Sequence, residues 1–564
     1  MSATPGAAGA PWRRALAAGV CLLVAAASYL GATGQLGSLY DFRSPLAGVP
    51  VAAPLEPTGP LPPLSRRVVT VLVDGLRVDT SVDATTMPFL ASLRERGAST
   101  EMSLRTPSYS VPGWTVLMTG AWIDLHGGLA MNPPNVAQAP AWTADSVFAA
   151  AHDAGKRTAV VGTDWFVPLI PPAQLSTSFF VHDETDAADQ ASTDAATTML
   201  TGDQVDFLLV HLNEVDHASH YAGGGTSPAA RTAAAKADAR LQAIAGAMDL
   251  SRDTLVVFSD HGHLDQGGHG GPEDVVVHAP FVMAGAGVKP NEPLPGGEQI
   301  EVAPTLAVLL GTRIPATAQG LAMSHLLVLD DASVATLRAA QARQQQQLPA
   351  RYASAIGRPV PSDAPAIDAA APSAARSVSA LQNARLAAER GARLPWVIAI
   401  GVGLLGALAL WWRRNPRRAG WAVAGAAAYL LVFHGYYWGV ARRTYSLSSV
   451  SSATDIILAT ASATALGLLA AWLVALVGER PGRRGAAGTL GGVGYAVGLT
   501  LAVPVLVGFL AGGWTVTWIL PEARVMFLQF FAQVQGLVVA VLTLLGGLVA
   551  VAIGRTRRNR APAH

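Results

Sequence analysis

Thr254-Leu255-Val256-Val257-Phe258-Ser259-Asp260-His261-Gly262-His263 is an apolar, β-rich run that stops on a carboxylate and an imidazole. A short continuous apolar run of this kind suits a strand buried on both faces of a mostly parallel sheet. Val68–Val73, Thr158–Val161, Phe207–Leu212 and Pro280–Ala284 share its character, with helical patterns between them. The expected fold class is therefore α/β. Four of the five runs are followed at once by acidic residues or histidine: Asp74, Asp164, Glu214 with Asp216, and Asp260-His261. Ligands in open α/β sheets bind outside the carboxyl ends of the strands, so these side chains stand where chemistry is expected.

Each motif has a plain reading beside the chemical one. Asp74 alone is a turn or cap residue. Asp216 and His220, four apart, share one face of a helix as a common metal would require, or are a cap with a surface histidine. Asp260-His261 is sharper, because an ionisable pair at the end of a buried strand must be paired, hydrogen-bonded or metal-bound. His269 lies among the glycines of 267–271, which let backbone approach a site closely. His263 and His278 read as structural. In Thr106-Pro107-Ser108-Tyr109-Ser110-Val111-Pro112-Gly113-Trp114, Ser110 falls at the start of a predicted helix. It is either an N-cap or an oxygen placed where the helix dipole favours an anion or a phosphate. Taken together, the motifs supply two aspartate–histidine sets, a third carboxylate, a sixth ligand and a hydroxyl. That is the complement for two metal ions about 4 Å apart with a nucleophile between them. Carboxylate and imidazole without thiolate suit Zn²⁺ or Mn²⁺ rather than copper or iron–sulfur chemistry.

At these residues, over roughly Arg66 to Met323, the sequence resembles the alkaline phosphatase superfamily, and more closely its type I phosphodiesterase/nucleotide pyrophosphatase branch. Glu301–Gly311 with Ile314-Pro315 and Gly320 looks like that branch's closing signature. The resemblance implies an alkaline-phosphatase-like catalytic domain using two divalent ions, Zn²⁺ first and Mn²⁺ second. Asp74, Asp260, His261 and Ser110 would surround one ion, with Ser110 as nucleophile, and Asp216, His220 and His269 would hold the other. Nucleotide pyrophosphatases typically carry Asn where this chain has Gly113. Ethanolamine-phosphate transferases of glycolipid-anchor synthesis have Pro-Gly there, and share a plan of N-terminal anchor, outer catalytic domain and C-terminal helix bundle. Ser219 replaces the usual glycine before the histidine, and no arginine follows Pro112 as a sulfatase would want.

The composition fits that plan. The 564 residues are 51% hydrophobic and 14% charged, against about 25% charged for an ordinary soluble chain. From Leu394 onward there are 14 arginines and three acids, Asp455, Glu479 and Glu522. The remainder carries 25 basic and 35 acidic side chains, a net −10 that makes nucleic acid an unexpected partner. The single cysteine, Cys21, excludes an intrachain disulfide and a cysteine zinc site. Ala15 to Ala32 reads as an uncleaved membrane anchor rather than a signal peptide. Leu394–Trp412, Ala419–Ala441, Ile456–Gly478, Gly488–Gly512 and Val525–Gly554 each reach the roughly 20 residues that cross a bilayer. Arg413, Arg414, Arg417 and Arg418, then Arg480, Arg483 and Arg484, then Arg555, Arg557, Arg558 and Arg560 mark alternate loops and the tail. The positive-inside rule then puts both termini in the cytoplasm and the catalytic domain on the outer face. The expected organisation is an anchor over 1–33, a Pro-rich linker over 34–65 and a catalytic domain over 66–330. A helical and Pro-rich connector over 331–393 and a five-helix transmembrane bundle over 394–564 complete it.

The expected function is a membrane-anchored, two-metal phosphodiesterase or phosphotransferase. It would cleave a phosphate ester through a covalent phospho-serine, with a lipid-linked substrate and membrane lipid as partners. The alternatives are a phosphatase or nucleotide pyrophosphatase acting on a soluble substrate, and a polytopic transporter or binding protein with an inactive outer domain.

Overall fold

The computed structural model describes residues 11–47, 49, 59–139, 142, 144–290, 296–360, 362, 366–450, 453–480 and 485–556. Arg483, Arg484, Arg557, Arg558 and Arg560, with residues 48 and 50–58 of the Pro-rich linker, lie outside the described residues.

Among the described residues, eight strands form one sheet: β1 (Arg67–Val73), β2 (Ala98–Ser103), β3 (Thr158–Thr163), β4 (Thr177–Val181), β5 (Phe207–Leu212), β6 (Asp253–Phe258), β7 (His278–Gly285) and β8 (Gly297–Glu298). Their order is β4-β3-β5-β1-β6-β7-β2-β8. The first five in that order run parallel, and β7 is antiparallel to both of its neighbours. Every residue of β1, β3, β5 and β6 is buried. Alternate side chains feed two cores. Val68, Leu72, Phe207, Leu209, Val256 and Phe258 pack with Phe148, Leu306 and Leu309 on one face. Val69, Val71, Val73, Leu208, Val210 and Val257 pack with Leu200, Leu241 and Ile244 on the other. Fully burying each such side chain is worth about 1.5–3 kcal/mol, so the strands stay apolar and polar chemistry is confined to their ends.

The antiparallel course of β7 explains the fifth run. Pro280–Ala284 is the one run without a polar successor, and its carboxyl end lies at the opposite edge of the sheet from the others. Three strands lay outside the five runs: β2, β4 and the two-residue β8. β2 and β4 stand toward the sheet edges, are half exposed and include Ser99, Thr100 and Ser178.

Among the described residues, six helices are long and apolar enough to cross a membrane, as expected of an integral membrane protein. The first, Pro11–Tyr40, lies along Ala523–Thr556, where Gln35 Nε2 donates to Met526 O (3.2 Å) and a Cβ at Gly31 would come within 2.8 Å of Gln533. Ala375–Arg414 is one continuous helix of 40 residues, so the end of the connector and the first C-terminal span are a single element. The remaining spans are Pro416–His434, prolonged by a π-helical turn over Gly435–Val440, then Ala453–Glu479 and Ala486–Gly512. At one end of the bundle Arg418 pairs with Glu479 (2.6 Å), which also accepts from Thr489 Oγ1 (2.7 Å). The α/β domain sits at the other end. There Arg443 pairs with Asp455 (2.6 Å), and Trp518 Nε1 donates to Glu389 (2.9 Å) beneath the Arg385 guanidinium.

Candidate metal centre

Asp74 is the residue after β1, and the next, Gly75, turns the chain with φ +68°. A Cβ there would come within 2.9 Å of the His263 ring and 3.1 Å of the Asp216 Cα. Glycine is thus required both by the turn and by the passage of backbone between two clusters of side chains. Asp216 and His220 lie on the helix Glu214–Tyr221 after β5, whose first N–H groups are capped by the buried Asp189 carboxylate (2.8 and 3.1 Å). Asp260 and His261 follow β6, and His269 arrives on the long loop between β6 and β7. Ser110 opens the helix Ser110–Thr119, all of whose residues are buried. The strand order places β5, β1 and β6 side by side, which is why residues so distant in sequence meet.

Around His261, Nε2 lies 3.3 Å from Ser110 Oγ, 3.4 Å from Asp74 Oδ1 and 3.5 Å from Asp260 Oδ2. Its Nδ1 donates to the Gly262 carbonyl (3.2 Å), leaving a lone pair on Nε2 that faces two carboxylates and a hydroxyl. Asp74 Oδ1 is buried and has no hydrogen-bond partner, while Asp74 Oδ2 accepts from His211 Nε2 (2.9 Å). Trp114 Nε1 donates to Asp260 Oδ2 (2.8 Å), and the Gly75 and His261 amides donate to Asp260 Oδ1 (3.3 and 3.1 Å).

The second cluster centres on Asp216 Oδ1, with His263 Nε2 at 2.6 Å, His220 Nε2 at 3.6 Å and His269 Nε2 at 3.7 Å. His269 Nδ1 donates to the Ser108 carbonyl (3.0 Å), so its Nε2 also offers a lone pair. His263, which the sequence suggested was structural, belongs to this cluster in a different capacity. Its Nδ1 accepts from the Gly268 amide (3.1 Å), so the proton sits on Nε2 and is donated to Asp216. It orients the carboxylate rather than offering a lone pair. His278 stays away from both clusters and donates to the Asp274 carbonyl. Asp164 pairs with His182 (2.6 Å) outside them.

Electrostatics point the same way. Burial, with Asp260 as a close second charge, pushes the Asp74 carboxyl well above its ordinary value, and burial also raises Asp260. Burial drives His263 down to about 4, His211 down to about 3, and His269 far below the usual imidazole range. Asp216 moves the other way: burial pushes it up, but the imidazoles of His220 and His263 pull it lower still. Carboxylates and bare imidazole lone pairs held together out of water need a compensating cation. Two groups have the ligand atoms for one among the described residues: Asp216, His220, His263 and His269, and Asp74, Asp216 and His261. All seven residues expected from sequence are thus brought to one place.

Three contributors were not visible in the sequence. His211, inside β5, holds Asp74 from below, and a Cβ on Gly162 would come within 2.6 Å of its Cβ. Asn132 accepts the Val111 amide on Oδ1 (2.9 Å), beside the nucleophile candidate, and keeps its own amide protons for another partner. The third contributor is the segment 442–448 from the bundle. Ser446 and Ser448 donate to the Glu273 carboxylate, the latter at 2.6 Å, and Ser448 Oγ accepts from the Gly271 amide (2.8 Å). Tyr109 Oη donates to Leu447 O (3.4 Å) and Gln266 Nε2 to Arg442 O (3.4 Å). A loop between two spans therefore clasps the loop that carries His269.

Residues 68–270 match the family described as Type I phosphodiesterase / nucleotide pyrophosphatase. The chain is 31% identical over 284 residues to the human GPI ethanolamine phosphate transferase 2, catalytic subunit, covering 46% of this chain and 28% of that protein. It is 28% identical over 298 residues to the mouse GPI ethanolamine phosphate transferase 3, catalytic subunit (47% and 26%). The value is 27% over 302 residues for GPI ethanolamine phosphate transferase 2 of Schizosaccharomyces pombe (48% and 39%). The chain thus spans less than two-fifths of the length of each of these relatives. Among solved structures, human ectonucleotide pyrophosphatase / phosphodiesterase 5 superposes with TM-score 0.39 at 14% identity, over 47% of this chain and all of that one. A mutant of the alkaline phosphatase PafA gives 0.40 at 12% identity, over 47% and 99%. The α/β domain of this chain is therefore similar to the type I phosphodiesterases/nucleotide pyrophosphatases, the branch of the alkaline phosphatase superfamily that its ordered motifs resemble.

Proposed function

We propose that this chain is a membrane-anchored phosphodiesterase or phosphotransferase that works through a phospho-serine on Ser110. Its substrate is a phosphate ester with a lipid-linked or head-group character, met on the outer face of the membrane. The observation that carries the reading is the convergence of Ser110 Oγ on His261 Nε2 (3.3 Å) beside the partnerless Asp74 Oδ1. Asp74, Asp260, His261 and Ser110 would hold one divalent ion and Asp216, His220 and His269 a second, with Zn²⁺ preferred and Mn²⁺ next. When bound, such ions lower the pKa of a serine hydroxyl and neutralise charge on phosphoryl and leaving oxygens.

Ser110 Oγ attacks phosphorus, and the ester oxygen opposite departs with the alcohol it carries. A water or an acceptor hydroxyl then attacks the phospho-serine and frees Ser110. Asn132, whose Oδ1 takes the Val111 amide, would offer its own amide protons to a phosphoryl oxygen, and the dipole of the helix that begins at Ser110 favours the same charge. The Arg413, Arg414, Arg417 and Arg418 turn, at the end of the bundle remote from the α/β domain, supports an outer location for the site. The test is the Ser110→Ala variant of the full chain in detergent. Its phosphodiester turnover should vanish while metal content is retained, and near-normal turnover would refute the role of Ser110.

A further inference from the structure

A cavity of about 610 Å³ opens on the flank of the bundle, lined by Leu430, Leu431, His434, Gly435, Trp438 and Tyr445. Four features set it apart from ordinary lipid-facing surface. It lies where the Pro416–His434 helix widens into the π-helical turn Gly435–Val440, and π turns are rare and frequently found at functional sites. Its apolar wall is open, with Leu431 76% and Trp438 71% exposed. It carries a polar pair, His434 Nδ1 and Tyr445 Oη, 2.6 Å apart. His434 stands 18 residues beyond Pro416, roughly 27 Å along the span at 1.5 Å per residue, which is the depth of the boundary between hydrocarbon and head group on the side of the α/β domain.

The chain runs directly from the cavity to the loops of the metal centre. Tyr445 lines it, and the next three residues, Ser446, Leu447 and Ser448, make the contacts to Glu273, Tyr109 and Gly271. Tyr109 in turn precedes Ser110 and packs edge-on against His269, with ring centroids 5.4 Å apart. Arg442, three residues before Tyr445, is exposed to solvent.

We infer that this cavity is a binding site for one hydrocarbon chain of a phospholipid in the facing leaflet, held so that its phosphodiester head reaches Ser110. The apolar wall takes the chain, and with the Tyr445 phenol donating to Nδ1, His434 Nε2–H remains for an ester carbonyl of the glycerol. The Arg442 guanidinium offsets the charge of the phosphate. The inference rests on the phosphodiester reading above and deepens it by naming how the substrate is gripped.

The experiment uses the full chain in phosphatidylcholine nanodiscs with a phosphatidylethanolamine bearing a diazirine at the chain end. Labelling should concentrate on residues 430–445 and be displaced by unlabelled phosphatidylethanolamine. Gly435→Leu fills the cavity without a clash, since a Cβ there meets nothing within 4 Å. It should diminish the labelling and lower the ratio of kcat/KM for a long-chain phosphodiester over a water-soluble one by about tenfold. Label scattered over other faces of the bundle, or an unchanged ratio in Gly435→Leu, would overturn the inference. Failure of the phosphodiester reading looks different: no Ser110-dependent turnover of either substrate, with the labelling of 430–445 intact.

Discussion

His211 Nε2 donates to Asp74 Oδ2 across 2.9 Å at the centre of the sheet, leaving Asp74 Oδ1 directed toward His261 Nε2 at 3.4 Å. Both partners are about 1% exposed, and burial holds the imidazole neutral, so one Asp74 oxygen is fixed by the protein and the other is free to bind. Hydrogen bonds of this kind orient a ligand, and their loss typically costs about 10–100-fold in metal affinity. His211→Ala should weaken Zn²⁺ binding by that order in a chelator competition. Wild-type affinity would show that the Asp74 orientation does not depend on His211.

The clasp between Glu273 and the serines of the bundle loop predicts that metal binding depends on residues far from any ligand. Ser448→Ala removes both a donor to Glu273 (2.6 Å) and an acceptor for the Gly271 amide (2.8 Å), two residues from His269. Leaving buried polar groups unpaired costs about 1–3 kcal/mol each. The expected result is weaker binding of the second ion, read as a drop toward one metal per chain at limiting Zn²⁺. Two metals bound with unchanged affinity would mean that the clasp is only a structural contact.

Asn132 supplies a third expectation. Removing one preorganised donor to a developing oxyanion typically lowers kcat by about 10²–10³. Asn132→Ala should show that loss in kcat for a soluble phosphodiester with a smaller change in KM. A change confined to KM would remove Asn132 from the reaction.

His126 links stability to pH independently of the metal centre. Burial takes it down to about 3, and its Nδ1 accepts from the Gly128 amide (2.8 Å), a bond that protonation would break. The folded-state pKa lies below the unfolded value of about 6.5, so the unfolded chain takes up the proton first. The contribution is fully present above pH 6.5 and is lost as pH falls toward 3, with a slope of up to about 1.4 kcal/mol per pH unit. His126→Asn should flatten that part of the stability profile measured by denaturant unfolding, and an unaltered slope would contradict the assignment.

What could be read ahead of the structure follows from where each signal resides. Phe207–Leu212 is β5 to the residue, because a strand buried on both faces must be apolar throughout, and Asp74, Asp216, Asp260 and His261 were visible because they adjoin such strands. Ser110 and His269 were visible through proline and glycine in their loops. His211 was hidden because it lies inside a strand whose other residues are apolar. Asn132, Glu273 and Ser448 were hidden because their roles come from chain crossings that no local pattern encodes. The place of His263 beside Asp216 was hidden because a histidine's role depends on which nitrogen is already hydrogen-bonded, here Nδ1 by Gly268. β4 at the sheet edge and β2, flanked on one side only by the two-residue β8, escaped notice because half-exposed strands tolerate the polar residues that a central strand excludes.

The central claim is the covalent use of Ser110, and the most direct measurement is the mass of the Ser110 peptide after brief incubation with membrane lipid extract and acid quench. The expected result is a phosphate-ester adduct on Ser110 that is absent from the lipid-free control and decays when an acceptor hydroxyl or time for hydrolysis is given. Sustained phosphodiester turnover with Ser110 unmodified at every time point would contradict the account.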